Sequence, residues 1–176
     1  MNHIVLFEPE KPANVGNIIR TCMAMNAELI IVGDLSFELS DKSLKRAGMD
    51  YMIGFKIIRY KNLDEFYLDH EKDLIFYITR YSSSLYSKRD YSDIAKDYYF
   101  MFGRESTGIP HDVLRKHYEN TVRIPMAIDA RSLNLSNCVA IILSEACRQQ
   151  NFFSLSTSET IKGSEFLFNE NNCEDS

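Results

Sequence analysis

The chain has 176 residues, of which 45% are hydrophobic and 26% charged, and it carries a net charge of −5 at pH 7. That is the composition of one ordinary globular domain. It excludes a membrane-spanning protein, because no apolar run is long enough to cross a bilayer, and it argues against a generic polyanion binder. Cys22, Cys138, Cys147 and Cys173 show no paired spacing. Reduced thiols in a cytoplasmic protein are therefore expected, with neither a disulfide framework nor a metal site.

The opening MNHIVLFEPEKP lacks a basic flank and reads as neither signal peptide nor anchor. His3–Phe7 is a short apolar run and a first strand. Pro9 and Pro12 hold the next segment extended. Asn14 then suits the N-cap of a helix whose inner face is Ile18, Ile19, Cys22 and Met25. This places Gly16 and Asn17 in a first turn whose N–H groups can meet an anion, with Arg20 about one turn on. Asn14, Asn17 and Arg20 are thus contacts for a phosphate or ribose, although a capped helix with one exposed arginine explains the same residues.

Leu29–Val32 is a second strand, closed by Gly33-Asp34. Asp41 caps a short helix in DKSLKRAGM, with Lys42, Lys45 and Arg46 on its charged face. Lys56–Tyr60 is a third strand and Asn62–Glu71 a helix with Phe66 inward. Leu74–Thr79 is a buried-type fourth strand, and Arg80 with Ser82–Ser84 begins a polar loop. Tyr98–Phe102 is a fifth strand that runs directly into GRESTGIP. There Gly103 and Gly108 permit positive φ or close backbone approach to a ligand, with Glu105 between them. Neither nucleotide-binding glycine fingerprint is present. Pro110 suits the first turn of a helix at His111–His117.

Val122-Arg123-Ile124 is a last apolar run, stopped by Pro125. The loop DARSLNLSN places Arg131, Ser132, Asn134, Ser136 and Asn137 close together. Leu133 and Leu135 between them predict that the loop packs inward. A helix start at Asn134–Asn137 follows, continued by Val139, Ile142, Leu143 and Ala146. A well-capped connection without a ligand accounts for this loop as readily as a binding site does. Strands alternating with helices predict an α/β domain: an open, mostly parallel sheet with helices on both faces. Its ligands should collect at the C-terminal strand ends, where the loops at 14–20, 103–110 and 129–137 would share one edge. The domain spans 1–153. Residues 154–176 read as a flexible, polar, acidic tail in which Phe166–Phe168 docks weakly at most. Residues 150–176 carry a net −4, which leaves −1 on residues 1–149; that is compatible with a local basic patch.

NVGNIIR at 14–20, FGRESTGIP at 102–110 and IPMAIDARSLNLSN at 124–137 together resemble the three motifs of the SPOUT-superfamily RNA 2′-O-methyltransferases. Within it, the lead-in LFEPEKPANVGN and RAGMDY at 46–51 look like the TrmL-type tRNA (cytidine/uridine-34)-2′-O-methyltransferases. The similarity covers residues 3 to about 150. The resemblance implies a C-terminal trefoil knot, S-adenosyl-L-methionine as cofactor, and a homodimer with its site near the subunit interface. The implied substrate is the ribose 2′-hydroxyl of the wobble nucleotide in the tRNA anticodon stem-loop, and no metal is required. By position, Ile78, Gly103, Ile124 and Ser132 match cofactor contacts, and Leu133 stands where Met is common. Asn14, Arg20, Glu105, Ser132, Asn134 and Asn137 match polar positions around the reaction centre. Arg20, Ser132 and Asn134 would be catalytic, with Arg20 as general base. Asn14, Asn17, Arg20, Glu105, Arg131 and Asn137 would face the RNA. Two departures are Ser144, where a Tyr near the dimer interface is frequent, and Arg104, where Pro is frequent. The alternatives are a family member acting on ribosomal RNA or another tRNA position, a non-catalytic RNA-binding paralogue, and a nucleotide-binding α/β signalling domain.

Overall fold

The computed structural model describes residues 1–37 and 55–168. The expected basic helix at Asp41, the RAGMDY stretch and Cys173 lie outside them. Six strands form one sheet: β1 (Asn2–Phe7), β2 (Glu28–Val32), β3 (Ile57–Tyr60), β4 (Leu74–Ile78), β5 (Tyr98–Phe102) and β6 (Thr121–Val122). Their spatial order is β3-β2-β1-β5-β4-β6. Every pairing is parallel, with Ile4 opposite both Leu29 and Phe100. All strands therefore end at the same edge.

Helices cover both faces, as the alternation of strands and helices predicts. Successive strand residues point to opposite sides. Ile4 and Leu6 of β1 pack with helices α1 (Pro12–Ala24) and α4 (Leu135–Gln149) through Ile18, Cys22, Val139 and Ile142. Val5 points the other way, toward α2 (Leu63–Asp69) and α3 (His111–Lys116) and their inward Phe66 and Leu114. Asn62 caps α2 by accepting from the Glu65 N–H at 2.9 Å. Between β4 and β5 the chain crosses with only a 3-10 turn at Tyr86–Lys88.

Two local expectations differ from what is found. Helix α1 begins at Pro12 with Lys11 at its N-cap position. Asn14 thus lies inside the helix, and Gly16 and Asn17 sit beyond its first turn, so the anion-binding terminus expected at those two residues is not formed. The last strand is Thr121–Val122, one residue earlier than its apolar run. Past it the chain is gripped from both sides. Thr79 N donates to Val122 O at 3.0 Å, Arg123 N donates to Ser84 O at 2.8 Å, and Tyr86 N donates to Arg123 O at 3.1 Å. The stretch at 79–86 therefore wraps the chain at 122–123. Beyond α4, Leu155 packs against the core and Asn26 Nδ2 donates to Ser154 Oγ at 2.9 Å. Phe166–Phe168 forms a 3-10 turn with Phe168 exposed. Among the described residues, no helix is long and apolar enough to cross a membrane.

Phe66 is the fully buried residue of the short helix α2, with Leu63 and Tyr67 packed beside it at the core. Phe66→Ala should cost about 3–5 kcal/mol, read as a fall in the urea midpoint at unchanged slope.

Candidate functional site

The C-terminal edge of the sheet carries a cleft of about 460 Å³. Its floor is the end of β4 at Ile78 and the end of β5 at Phe102 and Gly103. Ile109, Leu114 and Ile124 give it apolar walls, and residues 131–135 close it. The size and the mixed lining suit a small organic ligand.

A hydrogen-bond chain braces the cleft. After β5 the backbone turns on itself: Gly108 N donates to Arg104 O at 2.8 Å and Arg104 N donates to Gly108 O at 3.2 Å. Glu105 sits at the tip. Its carboxylate accepts from Glu10 N at 2.7 Å, Lys11 N at 3.2 Å and Asn14 Nδ2 at 2.8 Å. Glu105 thus anchors the backbone entering α1 from a distant segment, and the N-cap position that the local sequence assigned to Asn14 is taken by Lys11. The Asn14 side chain is 5% exposed. Its Oδ1 accepts from Asn134 Nδ2 at 3.0 Å. Asn134 is the N-cap of α4, as its sequence predicts: Oδ1 accepts from Ser136 N at 2.9 Å and Asn137 N at 3.4 Å. Both amides have donor and acceptor sides fixed, so flipping either would break the chain.

A second clasp runs the other way. The Glu10 carboxylate accepts from Ser106 N at 2.8 Å and from Ser106 Oγ at 2.7 Å. Those bonds hold its carboxyl below the usual glutamate range. Arg104 pairs with Glu8 at the same end of β1.

The cleft gathers nine of the sequence-derived residues: Asn14, Ile78, Gly103, Glu105, Ile124, Arg131, Ser132, Leu133 and Asn134. Asn17, Arg20 and Asn137 do not line it and lie exposed on α1 and α4. Leu135 is buried as expected, but Leu133 is 38% exposed on the cleft rim, so the loop packs inward only at its end. Gly103 also has a steric role within the chain. A Cβ there would lie 2.0 Å from Gly108 C and 2.1 Å from Ile109 N. The missing side chain makes room for the fold-back of the loop. Lys11, Thr79, Arg80, Tyr81 and Ser106 also line the cleft. Sequence reading passed over Glu10 and Ser106, because neither carries a local signal and their pairing spans 96 positions.

Gly103→Ala should lower stability by at least about 3 kcal/mol in urea unfolding, because backbone rather than a mobile side chain must yield. Gly108→Ala meets no atom within 4 Å but keeps a φ of +74°, so it should cost only about 1–2 kcal/mol. Ser106→Ala should raise the Glu10 carboxyl toward the ordinary glutamate range, observed by NMR titration. A depressed folded pKa stabilises above the unfolded value and that contribution is lost as pH falls through the folded one. Ser106→Ala should therefore shift the acid limb of the stability profile to higher pH.

Residues 1–144 match the model of the SpoU rRNA methylase family. A relative from Listeria monocytogenes serotype 4b (strain F2365), provisionally named as a tRNA (cytidine(34)-2′-O)-methyltransferase, is 51% identical over 154 residues, covering 88% of this chain and 91% of its own. A solved structure concerned with 2-OH methylation of C/U34 on tRNA is 33% identical with a TM-score of 0.77, covering 86% of this chain and 97% of that one. An AdoMet-bound rRNA methyltransferase from Sinorhizobium meliloti is 29% identical with a TM-score of 0.70, covering 84% of this chain and 56% of that one. With the family model spanning most of the sequence and nine of the motif residues gathered in one cleft, the chain belongs to the SpoU rRNA methylase family.

Proposed function

We propose that this protein methylates the ribose 2′-hydroxyl of the wobble nucleotide of tRNA, cytidine or modified uridine at position 34, using S-adenosyl-L-methionine. One observation carries the choice of substrate. The wobble-position relative and structure are matched along 91% and 97% of their lengths, whereas the rRNA enzyme is matched along 56% of its own. This chain thus matches nearly the whole of the wobble-position proteins and about half of the rRNA enzyme.

The cleft fits the cofactor. Ile78, Ile124 and Leu133 offer apolar contact for an adenosine, and the backbone around Gly103 and Ser132 offers polar groups at its edges. When bound, S-adenosyl-L-methionine supplies a methyl group on a positively charged sulfur. The chain's own residues orient the ribose, draw away its proton and limit water. Asn14 and Asn134 each use one amide N–H within the brace; a carboxamide has a second N–H for a ligand oxygen. Positioning of this kind is a large share of the rate in an in-line transfer. The proton leaves to solvent through the Ser132 hydroxyl, which lines the open cleft, or through water. Arg20 activates the nucleophile. A guanidinium stays protonated near neutral pH, so it acts by holding the ribose and its phosphate and by favouring alkoxide character.

Arg20, Asn17 and Asn137 lie outside the cleft of their own chain, on the outer faces of α1 and α4, where Ser144 is also exposed. A homodimer packed through those two helices supplies the explanation: the subunit interface completes the site. The wrapping of residues 122–123 by the stretch at 79–86 supports a trefoil knot that holds the cofactor loops. The catalytic domain is placed at 1–153, in a cytoplasmic enzyme, with the remainder a tail.

Transfer of labelled methyl from S-adenosyl-L-methionine to total tRNA, followed by nucleoside mapping, should place label on the ribose of nucleotide 34. Label on ribosomal RNA alone would overturn the substrate assignment. Arg20→Ala should cut transfer by about 100-fold or more with cofactor affinity unchanged in calorimetry. Parallel loss of both would refute its assignment to the nucleophile.

A further inference from the structure

Beside the cleft lies a second cavity of about 510 Å³ that the methyl-transfer reading does not use. Arg80, Tyr81 and Met126 form a wall common to both. Arg123 and Ile128 complete its other sides, and its lining contains two guanidinium groups and no carboxylate.

The cationic groups are held in place. Arg123 Nη1 donates to Arg80 O at 2.6 Å, and Arg80 Nη1 donates to Arg131 O at 3.3 Å. Each bond takes one of the five N–H groups of a guanidinium and orients the others. The Arg80 guanidinium carbon lies 5.6 Å from the centre of the Tyr81 ring, and His111 meets that ring edge-on at 5.3 Å. Tyr81 is nonetheless 58% exposed, and Ile128 is 97% exposed. An aromatic face beside paired arginines is the composition that holds an unstacked base and its phosphate.

We propose that this cavity binds one nucleotide of the RNA next to the nucleotide being methylated. Its base stacks on Tyr81 and its phosphate pairs with Arg80 and Arg123. The adjacency follows from the shared wall: a ribose entering the cleft leaves its neighbour on the other side of Tyr81. A single-stranded loop can splay out such a base without breaking a base pair. The inference rests on reading the cleft as the methyl-transfer site.

The test uses the full chain and synthetic anticodon stem-loops with 2-aminopurine at each loop position flanking nucleotide 34. Wild-type protein should quench the probe at one of these positions. Tyr81→Phe should keep the quenching, and Tyr81→Ala should abolish it and weaken RNA binding about tenfold or more. Ile128→Glu alters a fully exposed residue outside the cofactor cleft. By placing a carboxylate in the cavity it should weaken RNA binding while cofactor affinity holds, and it decides the matter where Tyr81→Ala fails to fold. Absence of quenching at every flanking position, or quenching and affinity indifferent to Tyr81→Ala and Ile128→Glu, would overturn the nucleotide site. Labelled-methyl transfer by the wild-type protein reports separately: transfer with no Tyr81-dependent quenching removes this site alone, whereas no transfer and no cofactor binding removes the reading of the cleft.

Discussion

The carboxylate of Glu105 is the contact on which the site depends. Three N–H donors converge on it, two from the backbone leading into α1 and one from the Asn14 side chain. The backbone donors just ahead of a helix have no intrahelical partner, and here a residue from the loop after β5 accepts from Glu10 N and Lys11 N. Hydrogen bonds to a charged group are worth about 1.5–3 kcal/mol each. They therefore hold the loop and the helix as one body. Asn14 passes the constraint on to Asn134, which is itself fixed by capping α4. One chain of polar contacts thus sets the relative positions of the start of α1, the loop at 104–108 and the start of α4.

The sheet makes that convergence possible. With every pairing parallel, all strands release their following loops at one edge. The order β3-β2-β1-β5-β4-β6 puts β1 beside β5, so the lead-in to α1 meets the loop at 104–108 directly. A parallel sheet with its ligand at this edge is the general solution of open α/β folds. The fold-back at Gly103 is the steric condition for it. The chain must reverse within five residues beside α1, and a side chain on Gly103 would overlap the returning backbone.

Most of the architecture was legible because strand burial writes itself as local apolar runs. Tyr98–Phe102 is found where its residues predict it, and the alternation of Ile4, Val5 and Leu6 between two helix-covered faces follows from the pleat. The capping of α4 by Asn134 was equally local. Asn14 was misread for the opposite reason. Asparagine before an apolar periodic run has the form of a cap, but its partners lie 91 and 120 positions away, and no rule of local sequence reaches them. Pro12 carried the better signal, since proline is favoured in the first turn of a helix. Leu133 shows a related limit: its apolarity is spent on the cleft rim rather than in the core. The gathering of the motif residues became readable only when three separated stretches were considered together.

A chain of net charge −5 appears a poor partner for RNA, yet the acids beside the cleft are already occupied. Glu105 accepts three N–H groups, Glu10 takes both donors of Ser106, and Glu8 pairs with Arg104. Glu8 is thereby matched by a cation, whereas Glu105 and Glu10, held by neutral donors, keep their charge and have its position fixed. The arginines are fixed in the same manner on the neighbouring cavity. Arg80 and Arg123 each give one N–H to a backbone carbonyl, a neutral partner, and so keep their full charge at the surface. Because exposed charges more than about 8–10 Å apart are largely screened at physiological salt, the local sign outweighs the sum over the chain. Attraction of the phosphate backbone is therefore decided by where the fold places each sign, and the cavity that Arg80 and Arg123 line holds no carboxylate.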